Sequence, residues 1–119
     1  MDDSTPPIAW DTTWQSAVDH FGNLNSDSMR AMTQLVATVS KLPEVRGLFA
    51  IPSMTTLRIS PYSCYPDWFD GRFITVDANG ADAVTIRVAT NGHDSKPQRV
   101  DCPFADAAAM IARLCHDKM

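Results

Sequence analysis

Apolar positions in the first third of the chain recur at three- and four-residue spacing, and further on they alternate. Trp10, Trp14, Ala17, Val18 and Phe21 fall on one face of a helix that Asp11 is placed to cap, and Gly22-Asn23 marks its end. Ser26 or Asp27 opens a second helix, along which Met29, Met32, Leu35, Val36, Val39 and Leu42 form a stripe until Pro43 interrupts it. The pattern fits both one bent helix and an antiparallel pair. A further helical turn is expected from Pro43 to Gly47.

Beyond Phe49 the period moves toward two. Leu57 and Ile59 alternate with Thr56, Arg58 and Ser60 as a short half-buried strand. Runs 72–78 and 82–90 flank Asn79-Gly80, a strong hairpin signal. A two-residue turn there would set Asp77 opposite Asp82 and Arg72 opposite Arg87, and would split the apolar residues between two faces. A three- or five-residue loop, with Gly80 supplying a positive φ, instead brings Ile74, Val76, Val84, Ile86 and Val88 onto one face. The other face then carries Phe73, Thr75, Asp77, Thr85 and Arg87. Residues 98–101 can add a fourth strand, and Pro103 suits the first turn of a closing helix striped by Phe104, Ala107, Ala108, Ile111, Leu114 and Cys115.

The expected fold is therefore α+β: two N-terminal helices, a three- or four-stranded antiparallel sheet, and a C-terminal helix packed on the sheet. Residues 1–9, with two prolines and two aspartates, read as a mobile tail, and residues 10–119 as a single domain.

Composition narrows the function. With 119 residues and 45% apolar content, the chain has the size and make-up of one globular domain. Its apolar runs are far shorter than the ~20 residues of a membrane-spanning helix. The start MDDSTPPIAW lacks the basic and apolar stretches of a secretory signal, so a cytoplasmic location is expected. A net charge of -4 speaks against nucleic acid as a partner. All but one of the acids are Asp, Glu44 being the exception, and this places many carboxylates in turns and caps.

Chemical motifs are sparse. Cys64, Cys102 and Cys115 show neither a disulfide framework nor a zinc spacing. The histidines are isolated, Asp67 and Asp70 lack the clustered oxygens of a calcium loop, and the scattered glycines form no phosphate cradle. Neither a metal nor another cofactor is expected. A small enzyme would have to be built on Cys64 with His93, whose neighbour Asp94 could orient the ring.

The densest stretch is SPYSCYPDWFD, residues 60–70, in which two prolines oppose a helix. One reading makes it a crossover whose Trp68 and Phe69 seal the core. The other makes it a recognition loop, with Tyr62, Tyr65, Asp67, Trp68 and Asp70 meeting a basic protein partner, since aromatic side chains give large contact areas at little entropic cost.

In size, acidity, α+β order and lack of a catalytic signature, the chain resembles the small immunity proteins encoded beside bacterial polymorphic or contact-dependent toxins. That resemblance implies a non-enzymatic protein that neutralises a cognate toxin domain by direct binding. The stretch from Leu42-Pro43-Glu44-Val45 through Leu48-Phe49 to Tyr65-Pro66 is also similar to segments of uncharacterised bacterial, especially actinobacterial, proteins, and this implies no activity. A secretion chaperone, which holds an extended partner segment on an apolar surface, is the alternative binder.

Overall fold

The computed structural model describes residues 12–24, 26–64, 66–80 and 82–119, with Lys118 described by its backbone alone. Trp10, Asp11 and the expected tail therefore lie outside the described residues, and so does Tyr65.

The first helix, α1 (Trp14–Gly22), is capped by Thr13, whose hydroxyl accepts from the Ser16 N–H. Ser26 does the same for α2 (Asp27–Val39), accepting from the Met29 N–H at 3.1 Å. Both caps satisfy N–H groups that a helix start leaves without partners. The helices are separate and pack against each other. The stripe Met29, Met32, Leu35, Val36 and Val39 is buried as its spacing predicts. The helical turn after Pro43 is a 3-10 turn, Pro43–Val45.

Five strands follow: β1 (Phe49–Ser53), β2 (Thr56–Ser60), β3 (Phe73–Asn79), β4 (Ala83–Ala89) and β5 (Gln98–Pro103). Each pairs antiparallel with the next, giving a meander in the order β1-β2-β3-β4-β5. A one-turn helix, α3 (Asp67–Asp70), lies between β2 and β3, and α4 (Phe104–Lys118) closes the chain. The α+β class and the helix placement match the sequence pattern, but the sheet has five strands and an internal helix is added. β1 is the strand the pattern hides, because Pro52 lies inside it. An edge strand tolerates proline, since one side of its backbone has no ladder to serve.

The β3–β4 register follows the like-charge argument. Asn79 pairs with Ala83, which leaves a three-residue connection with Gly80 at φ +79°. Ile74, Val76, Val84 and Ile86 consequently face the helices. With Leu57, Ile59, Phe21, Met32, Val36 and Ile111 they build one core between the sheet and α1, α2 and α4.

Among the described residues, no long helix covers the opposite face of the sheet. Its rows run across the strands as Ile51, Arg58, Thr75, Arg87 and Arg99, and next to them Ser53, Thr56, Asp77, Thr85 and Asp101. Arg87 pairs with Asp77 at 3.3 Å and Arg99 with Asp101 at 3.2 Å, while Thr56 and Thr85 donate to the two carboxylates. This ladder lets the β3–β5 part of the face stay open to water.

Candidate functional site

Over the β2–β3 part of that open face, α3 acts as a lid. Pro66 precedes its first turn, where a missing N–H costs nothing, and the Pro66 carbonyl accepts from the Asp70 N–H at 2.8 Å. The prolines therefore do not exclude a helix throughout SPYSCYPDWFD, because Pro66 starts one. Gly71 ends it. A Cβ at Gly71 would stand 2.3 Å from the Tyr62 ring, so Tyr62 is seated against the turn only because that side chain is absent.

Two side chains fasten the lid to the sheet. Trp68 is only 8% exposed, and its carbonyl accepts from the Arg58 guanidinium at 3.2 Å. The Arg58 carbon lies 5.4 Å from the ring centroids of both Trp68 and Phe69 and 3.9 Å from that of Phe73, within the range of cation–π attraction. Trp68 and Phe69 meet edge to face at 6.4 Å. Ile51, Trp68, Phe73 and Ala89 are buried yet stand outside the helix-side core, so the lid covers a small apolar cluster of its own.

The structure divides the residues singled out in SPYSCYPDWFD. Trp68 is inside the lid; Tyr62, Asp67, Phe69 and Asp70 are exposed. Phe69 exchanges sides relative to the core-sealing reading, being 38% exposed. Asp70 lies 4.0 Å from His93, both at the surface. The β4–β5 connection braces the lid as well, with the Gly92 N–H donating to the Asp70 carbonyl at 3.2 Å.

Beside the lid stands the β1–β2 hairpin. Ser53 pairs with Thr56, so Met54 and Thr55 form a two-residue turn. Met54 has φ +53°, a left-handed conformation that favours glycine, and it is 81% exposed. His20 donates from Nε2 to the Met54 carbonyl at 2.7 Å, which ties the strained turn to α1. A two-residue hairpin turn calls for such a positive φ, and here a methionine rather than a glycine supplies it. Met54 and Phe69 line a common groove of about 480 Å³.

Neither Met54 nor Arg58 stands out in the sequence. Met54 falls in no periodic stretch, and Arg58 reads as the outward residue of an alternating strand. The signals that mark them, a positive φ and three surrounding rings, exist only in three dimensions.

The residues on which a thiol enzyme would have to be built have the following surroundings. Asp94 accepts from the Thr90 backbone N–H and hydroxyl and from the Lys96 N–H, and these bonds hold its carboxyl below the usual range. His93 is near Asp70, while Cys64 is exposed with the Ser63 hydroxyl at 3.6 Å. Burial pushes the Cys115 thiol up to about 12 and raises Cys102 as well. Among the described residues, no group of three or more His, Cys, Asp or Glu is placed to hold a metal ion. No helix among them is long and apolar enough to cross a membrane.

The outward N–H positions of the β1 edge are blunted. The Ala50 N–H donates to the Thr12 carbonyl at 3.0 Å, and Pro52, next on the same side, has no N–H.

No protein-family model, no curated protein and no solved structure matches this chain.

Proposed function

We propose that this chain is a non-enzymatic binding protein of the immunity type, which neutralises a cognate toxin by covering it with the lid and the β1–β2 hairpin. One observation carries the reading. The large apolar side chains exposed among the described residues are Met54, Tyr62 and Phe69, which lie on the hairpin, on the segment leading into the lid and on the lid. Aromatic anchors bind at little entropic cost, and the backbone that carries Met54 is braced before the partner arrives.

Asp67 and Asp70 stand beside these anchors, exposed on α3. With a chain charge of -4 they favour a basic partner and speed its approach. Trp68 then acts through position: it holds Phe69 outward and fixes the helix that presents the acids. The exposed apolar side chains stand singly on the hairpin, the lid and the segment leading into it, which supports recognition by a few anchors, the inhibitor reading, over an extended segment laid on a broad apolar surface, the secretion chaperone reading.

The reading expects a neighbouring reading frame that encodes a large secreted protein with a variable C-terminal domain. Coexpression of that domain with the chain tests it. Growth rescue by the native chain that disappears in a folded Met54→Ala/Phe69→Ala variant supports the proposal. Absence of rescue, or rescue indifferent to the two substitutions, contradicts it.

A further inference from the structure

Three arginines stand in one row across the open face of the sheet, and only two of them have a carboxylate. Arg87 has Asp77 and Arg99 has Asp101, whereas Arg58, in the same row, has no acid within ion-pair distance among the described residues. The acid of the adjoining row, Asp77, is already engaged by Thr56 and Arg87.

Arg58 is also half-buried. Three aromatic rings surround its guanidinium, and of the five N–H donors that such a group carries, one goes to the Trp68 carbonyl. Burial lowers its pKa from the ordinary value, which reflects the cost of holding a cation away from water. A bound anion would offset that cost.

The groove beside it has the room. Its volume of about 480 Å³ lies within the roughly 300–1,000 Å³ typical of small-molecule sites. Ile51, Met54, Trp68 and Phe69 form apolar walls, Ser53, Thr55 and Thr56 complete the lining, and Arg58 is the cation among the described residues that line it.

We propose that this groove binds a carboxylate carried on a short apolar or aromatic body, with the carboxylate on the remaining N–H donors of Arg58 and the body against Met54, Trp68 and Phe69. A planar guanidinium matches a carboxylate with two parallel hydrogen bonds, and the rings leave it little freedom to lose on binding. The inference goes beyond the toxin-binding reading and needs no toxin. The carboxylate can come from a free organic acid or from the C-terminus of a peptide, which share this chemistry.

Nuclear magnetic resonance titration of the full chain decides it, with the Arg58 Nε–H and Trp68 indole N–H signals as readouts. The probes are 3-phenylpropionate against 3-phenylpropionamide, and an acetylated Gly-Phe dipeptide with a free C-terminus against its amide. At least one acid should saturate both signals and bind at least about tenfold more tightly than its amide, the scale of a charge-assisted hydrogen bond. Arg58→Gln should remove that preference, and Arg58→Lys should keep part of it. Preference for the free acid alone assigns the site to small carboxylates, and preference for the dipeptide acid alone assigns it to peptide termini. Should Arg58→Gln loosen the lid, the acid–amide comparison on the native chain decides alone. Equal binding of acids and amides, or no saturable shift with either acid, overturns the proposal.

Discussion

The carbonyl oxygen of Phe69 occupies the place that a side chain at position 92 would need: a Cβ on Gly92 would stand 2.3 Å from it. The β4–β5 connection thus touches the lid backbone directly, and neither can shift without the other. Gly92→Ala should destabilise the fold by about 1–3 kcal/mol, the usual cost of overpacking. Gly22→Ala is the control, because a Cβ there meets only Thr33 Cγ2 at 3.9 Å. Urea denaturation of both variants checks the contrast, and equal stability would show that the brace is not tight.

Trp68 and Phe69 should separate stability from recognition. Trp68→Ala removes a buried indole and the packing around Arg58, at a cost of about 3–5 kcal/mol. Phe69→Ala should cost about 1 kcal/mol or less in stability, because the ring is already partly in water. Denaturation midpoints of the two variants give the comparison, and similar losses would contradict the division of the segment into an inner and an outer ring.

The thiols should react in the order of their exposure. Cys64 is exposed, whereas Cys115 is buried with its pKa pushed up to about 12. Iodoacetamide at pH 8 should modify Cys64 first and leave Cys115 intact until the chain unfolds. Peptide mass mapping over time reads this, and equal rates at the two positions would contradict the burial of Cys115.

The open-face ladder should respond to acid. The Thr85 hydroxyl, then Arg99, hold the Asp101 carboxyl below its ordinary value of 3.8. Because the folded value is depressed, its contribution to stability is complete above the unfolded pKa and is lost as pH falls through the lower folded value. The stability difference between the native chain and Asp101→Asn should therefore be constant from neutral pH down to about 5, then shrink in more acid solution. Thr85→Val should move the Asp101 titration upward, as followed by carboxyl carbon shifts. An unchanged midpoint in that variant would contradict the assigned cause.

Much of this fold is legible in the sequence because its signals are local. The Met29 to Val39 stripe and the longer β3–β4 loop, which avoids two like-charge pairs, each follow from spacing within one or two elements, and both appear as expected. β1 is obscured because Pro52 is a strand breaker everywhere except at an edge, and edge position is a property of the whole sheet. The site is less legible still. SPYSCYPDWFD marks the right segment, but which ring faces inward depends on Arg58, ten residues before Trp68, and on Gly92 from another connection. Met54 becomes prominent only through its backbone angle and its bond to His20, thirty-four residues away.

The central claim is that the lid and hairpin together form the recognition surface. Its most direct test is the affinity of the toxin domain that the proposal expects in the neighbouring reading frame for folded Met54→Ala and Phe69→Ala variants, compared with Gln34→Ala on the exposed side of α2. The account predicts that at least one of the two costs about 2 kcal/mol or more, roughly thirtyfold in Kd, while Gln34→Ala changes little. Unchanged affinity in both Met54→Ala and Phe69→Ala, or a larger loss from Gln34→Ala, would contradict it.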